Sequence, residues 1–145
     1  MIPLNLPSFN CKLTKIEDKP YIFDSIRRKY VVLTPEEWVR QHVLNWLIVE
    51  CQYPKSLIKS ESGLKVNRLS KRTDIIVYDR AAKPFILVEC KAPHILLSDD
   101  TFGQTTNYNK TLNAPFLLLS NGIEHLAFEL KDNQFFPIQN LPPLK

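Results

Sequence analysis

Apolar residues in this chain fall mostly into short runs or alternate with polar ones, and helical spacing is confined to two stretches. Residues 11–16, 21–23 and 30–33 have the composition of strands. The first helix signal is Thr34-Pro35-Glu36-Glu37. Thr34 suits an N-cap, Pro35 the first helical position, and Glu37 stands three after Thr34, as a capping box requires. This helix should run to about residue 49 or 50, with Val39, Val43, Trp46 and Leu47 on its apolar stripe. Glu36, three before Val39 and seven before Val43, falls on that stripe and is expected to face the interior, with Glu37 committed to the cap. A strand is predicted at 57–60, followed by a polar segment through Lys71-Arg72-Thr73. Two β runs come next, at 74–78 and 85–91, joined by a turn at 79–84. Ser98 and Asp99 are both suitable N-caps for a second helix over about 100–112. Beyond Pro115 lie a buried strand at 116–119, a turn at Ser120-Asn121-Gly122, and strands at 123–130 and 134–138 around Lys131-Asp132-Asn133. The order of elements predicts a mixed β-sheet flanked by helices, of the α/β or α+β class.

Composition narrows the function classes. The 145 residues suit one domain, with residues 1–33 as an N-terminal extension of short strands belonging to it. No run approaches the roughly 18 apolar residues of a membrane span, and the N-terminus lacks the flank and apolar block of a secretory signal. Cys11, Cys51 and Cys90 lack the paired spacing of zinc ligands, which suits free thiols in a reducing cytoplasm. Nineteen basic against fifteen acidic residues give a net charge of +4, compatible with a polyanionic partner. The basic residues concentrate at Arg27-Arg28-Lys29 and across Lys65, Arg68, Lys71 and Arg72; a solvated turn is the plainer explanation of either cluster alone. No glycine-rich phosphate loop is present, so no nucleotide-driven motor is expected.

The chemistry-bearing residues sit at the ends of the two central β runs. Alternation places Glu89 and Lys91 on one face and Cys90 on the other. If the runs pair antiparallel through the 79–84 turn, Asp74 meets Glu89 across the sheet edge. Two carboxylates so placed repel unless a cation lies between them. Mg²⁺, or Mn²⁺, suits such hard oxygen donors, and Lys91 is placed to orient a water or stabilise a phosphorane-like transition state.

Asp74, a gap, and then Glu89-Cys90-Lys91 resemble the core motif of the PD-(D/E)XK nuclease superfamily. Thr73 stands where the name has proline. The likeness is closer to the N-terminal nuclease domain of type I restriction enzyme R subunits. It rests on Thr34-Pro35-Glu36-Glu37-Trp38-Val39-Arg40-Gln41, on Lys71-Arg72-Thr73-Asp74-Ile75-Ile76-Val77-Tyr78, on Val88-Glu89-Cys90-Lys91-Ala92-Pro93 and on Leu119-Ser120-Asn121-Gly122. Gln104 and Tyr108 match the Gln-x-x-x-Tyr motif of related nuclease domains. The resemblance implies a restriction-endonuclease-like core over 34–140 that hydrolyses DNA phosphodiester bonds with Mg²⁺ or Mn²⁺. It implies metal ligation by Glu36, Asp74, Glu89 and the Cys90 carbonyl. Asp74, Glu89, Lys91 and Gln104 would act in catalysis, and Tyr108, Arg72, Lys71 and Arg68 would contact DNA. Partners implied are DNA and other restriction or repair subunits or a second copy, with no membrane or nucleotide. The rival class is a catalytically silent nucleic-acid-binding or assembly module with the same fold.

Overall fold

The computed structural model describes residues 2–60 and 74–144. Three short strands come first: β1 (Leu13–Ile16), β2 (Lys19–Asp24) and β3 (Lys29–Val32). They pair antiparallel in sequence order as a sheet of their own. Helix α1 (Pro35–Val49) follows, then β4 (Ile58–Ser60), β5 (Ile75–Tyr78), β6 (Pro84–Cys90), α2 (Asp99–Leu112), β7 (Phe116–Ser120), β8 (His125–Lys131) and β9 (Gln134–Ile138). Strands β4 to β9 form a six-stranded sheet whose spatial order follows the sequence. Every neighbouring pair is antiparallel except β6 and β7. A parallel pair needs a long crossover, and α2 supplies it. The mixed sheet with flanking helices is the expected α+β architecture.

Strand alternation divides the core. Ile75, Val77, Ile86, Val88, Cys90 and Leu118 pack with Val39, Val43, Leu44 and Leu47 of α1. Ile76, Leu87, Ala114 and Leu117 pack with Tyr108 and Leu112 from α2 and its C-terminal end. The two helices therefore cover opposite faces, and β6 sits between them, buried on both sides as its continuous apolar run requires. Both helix starts carry their expected caps: Thr34 Oγ1 accepts from the Glu37 N–H at 3.0 Å and Ser98 Oγ from the Thr101 N–H at 3.3 Å. Asn113, left-handed at φ 55°, ends α2, and the Asn109 side chain bonds both backbone groups of Ala114, fixing the entry to β7.

Two expectations for α1 need correction. Glu37 gives only its backbone N–H to the cap; its side chain is buried and bonded to Arg40 and Gln41. Glu36, expected to point inward, keeps a third of its side chain exposed. The buried arc of α1 is wider than the apolar stripe, because Glu37, Arg40 and Gln41 are buried in exchange for ion pairs and hydrogen bonds. Trp38 is half-buried and donates its indole N–H to the Ile2 carbonyl at 3.1 Å, while Trp46 packs against the α1-side core.

Candidate functional site

The register of β5 and β6 sets the site. Ile75 lies opposite Val88, which brings Asp74, just ahead of β5, opposite Glu89. Asp74 is buried, and its Oδ2 accepts from the Cys90 N–H at 2.6 Å while its Oδ1 accepts from Arg40 Nη2 at 2.6 Å. Glu89 and Lys91 share a face as alternation predicts, with Lys91 Nζ 3.3 Å from Glu89 Oε2. Glu36 joins from α1 through Arg40 Nη2, which also reaches Glu36 Oε2 at 2.9 Å. Four of the expected site residues, Glu36, Asp74, Glu89 and Lys91, thus lie at one end of β5 and β6.

At the centre stands a residue to which the sequence reading gave no role. The Arg40 side chain is 1% exposed, and its guanidinium is ion-paired with Glu36, Glu37 and Asp74. Burial pushes the guanidinium pKa down, but the carboxylates of Asp74 and Glu37 outweigh it and hold Arg40 firmly charged. The network continues through Gln41 Nε2, which donates to Glu37 Oε2 at 2.8 Å and Asp24 Oδ2 at 3.0 Å. Arg27 closes it, reaching Asp24 Oδ2 at 2.8 Å and Glu37 Oε2 at 3.4 Å. Burial pushes the Asp24 carboxyl up, but hydrogen bonds from Arg27 and Gln41 prevail and leave its pKa below the usual value. The signal was present in the spacing: Arg40 stands four after Glu36, three after Glu37 and one after the buried Val39.

Glu89 has the opposite setting. Burial, with the charges of Asp74 and Glu36 and against the pull of Lys91, pushes its pKa up to about 8. The Cys90 side chain points to the α1 face and is fully buried, and its thiol is pushed well up by burial and by Asp74. Gln104 is exposed on the outer face of α2 with Asp100, Asn107 and Lys110, and among the described residues it bonds to none of Asp74, Glu89 and Lys91. Tyr108 is half-buried against Ile76 and Leu87. Arg68, Lys71 and Arg72, expected to contact DNA, lie outside the described residues. Among the described residues, no three acidic, histidine or cysteine side chains form a ready-made metal cage, and no helix is long and apolar enough to cross a membrane.

The donor types, though not their present arrangement, are those that a hard divalent cation takes. Glu36, Asp74 and Glu89 offer oxygen alone, which suits Mg²⁺ or Mn²⁺ and not the softer metals. Arg40 Nη2 marks a point that two of these carboxylates already share. Glu89, its charged form disfavoured partly by its two acidic neighbours, is the group whose ionisation an added cation would restore.

No curated protein matches the chain. The sequence model of the type I restriction enzyme R protein N terminus matches residues 35–142, a span that holds α1, the whole six-stranded sheet and all four converging residues. The chain belongs to the family of the type I restriction enzyme R protein N terminus.

Proposed function

We propose that this domain is a restriction-type DNA nuclease dependent on Mg²⁺ or Mn²⁺, in which Glu36, Asp74 and Glu89 hold the metal and Lys91 serves the reacting phosphate. The observation that carries this reading is the pairing of Asp74 with Glu89 across two strands, with Lys91 Nζ 3.3 Å from Glu89. A divalent cation bound there would supply Lewis-acid charge to the phosphate and lower the pKa of an attacking water. The chain's own groups do the rest. The Cys90 N–H and Arg40 fix both oxygens of Asp74, so that its carboxylate is preorganised. Lys91 would donate to a non-bridging phosphate oxygen, where negative charge grows as the water oxygen bonds to phosphorus and the P–O3′ bond breaks, the water losing its proton to solvent and the departing O3′ gaining one from it. Family membership points to DNA and to other subunits of a restriction assembly as partners.

A second reading, a silent DNA-binding or assembly module, draws on one observation: Arg40 and the Cys90 N–H already occupy both Asp74 oxygens. A plasmid cleavage assay separates the two. Wild type is expected to nick or linearise DNA only with Mg²⁺ or Mn²⁺. Asp74→Ala and Lys91→Ala should each lower the rate by roughly a hundredfold or more while melting cooperatively. Cleavage that persists in both variants rules out this site, and salt-dependent binding without turnover selects the silent module.

A further inference from the structure

The N-terminal sheet lies ahead of the segment that matches the family. Residues 1–33 contain six of the nineteen basic residues and three of the fifteen acidic ones, so this segment carries three of the four net positive charges of the chain. A cleft of about 430 Å³ runs between β3 and the first turns of α1. Tyr21, Lys29, Tyr30 and Val32 line one wall, and Glu36 and Arg40, both members of the Asp74 cluster, line the other.

The wall is held in place. Asp24 Oδ1 accepts from the backbone N–H groups of Ile26 at 2.8 Å and Arg27 at 2.9 Å, which forms the β2–β3 turn. The same Asp24 is bonded by Gln41, and Arg27 is paired with Glu37, so the turn is fastened to the network that ends on Asp74. The acidic residues at the α1 side of the cleft are bonded to cations, Glu36 to Arg40 and Glu37 to Arg40 and Arg27, although these two guanidiniums are shared among four carboxylates, Asp24, Glu36, Glu37 and Asp74. Arg28 and Lys29, in contrast, are exposed, and among the described residues neither has an acidic partner. Tyr30 and Val32 are 41% and 43% exposed on a sheet face they share with Tyr21 and Phe23. The Tyr30 ring packs edge-on against Phe23 at 5.3 Å, and Lys12 Nζ lies 5.4 Å from the Phe23 ring centre. Lys29 and Tyr30 reach the cleft from opposite faces of the edge strand β3, and Arg28 stands at the adjoining turn. Exposed cations beside an exposed aromatic match a nucleic-acid strand, whose phosphates need the first and whose bases and sugars pack on the second.

We propose that the β2–β3 hairpin is the wall of the cleft beside Glu36 and Arg40 that holds the DNA strand leading to the proposed site, with Lys29, and Arg28 at the adjoining turn, on backbone phosphates and Tyr30 packed on a base or sugar. DNA as the occupant rests on the nuclease reading. The contact itself is measured apart from it, by fluorescence anisotropy of the full chain with a labelled DNA duplex in EDTA, where nothing is cut.

An Arg28→Ala/Lys29→Ala variant is expected to bind about tenfold more weakly near 100 mM salt, and its log K against log[salt] slope should fall by about 1 to 2. Tyr30→Ala should lose about fivefold or more with the slope unchanged. Lys131→Ala removes one exposed charge at the opposite end of the six-stranded sheet and should change neither. Should the alanine variants melt early, Lys29→Glu against Lys29→Arg gives the same comparison, with loss in the first and retention in the second. Wild-type affinity and slope in the hairpin variants overturn the proposal, as does an equal loss in Lys131→Ala. A wild type that binds no DNA overturns both the hairpin assignment and the nuclease reading. Binding that depends on the hairpin in a wild type unable to cleave with Mg²⁺ upholds the hairpin and overturns the nuclease.

Discussion

Glu89 and Arg40 answer the same problem in different ways. Three carboxylates stand together at the end of β5 and β6, and the pair nearest α1, Glu36 and Asp74, is bridged by a buried guanidinium. Glu89 has only Lys91, and its pKa of about 8 shows the imbalance. Because this value lies above that of an unfolded glutamate, the folded state binds the extra proton, and the stability it contributes is complete below about pH 4.5 and lost as pH rises through 8. Without divalent ions, wild-type Tm should therefore fall between pH 6 and 8.5, by about 5 °C or more. Glu89→Gln, which cannot ionise, should flatten that profile in thermal melts, and an unchanged slope in the variant would show that the proton resides elsewhere. The ends of this site were legible in the sequence because strand alternation and a single turn place Asp74, Glu89 and Lys91. Arg40 was legible only through its spacing of three and four from Glu37 and Glu36, because hydrophobic periodicity treats every charged residue as a solvent-facing one. An arginine buried by its own ion pairs leaves no mark in such a pattern.

At the level of elements, helix caps and the central hairpin were readable, since each follows from local chemistry: Thr34 and Ser98 oxygens for the caps, alternation and the Asp79 turn for the register. The separate sheet of β1 to β3 was less so. Its strands are short and partly exposed, and nothing in their composition states that they pair with each other and not with the main sheet. The Gln-x-x-x-Tyr spacing gave a shared helix face, but Gln104 falls on the flank of the buried stripe Thr101, Thr105 and Asn109 and remains in solvent. Gly122 shows how a turn serves two elements. It adopts φ 87° between β7 and β8, and its carbonyl accepts the Asn5 N–H at 2.7 Å. A β-carbon there would stand 2.7 Å from Leu4 Cδ2. Gly122→Ala is therefore expected to cost about 1–3 kcal/mol through backbone strain and displacement of the N-terminal segment. Urea titration monitored by circular dichroism measures it; an unchanged midpoint would mean that the segment yields freely.

Across the whole molecule, one polar chain links the N-terminal hairpin to the sheet: Asp24, Gln41 and Arg27, Glu37, Arg40 and Asp74. Such a chain is worth little as a sum of pairs, because each ion loses its hydration on burial, but removing one member leaves the others stranded. Arg40→Met is expected to destabilise by about 3–5 kcal/mol in EDTA. Mg²⁺ or Mn²⁺ should raise the variant's Tm more than that of wild type, since the ion then meets carboxylates with no competing cation. Differential scanning fluorimetry with and without EDTA reads both, and equal metal shifts in the two proteins would separate Arg40 from the proposed metal site. Wild type itself should keep its circular dichroism spectrum in EDTA.

That last expectation sets this domain apart from small metalloproteins that fold only around their ion. With Arg40 bridging its acidic residues, the folded domain already holds a counter-charge there. On the proposed reading it would be made, chelated and reloaded without unfolding, so that metal supply would act on cleavage and not on survival.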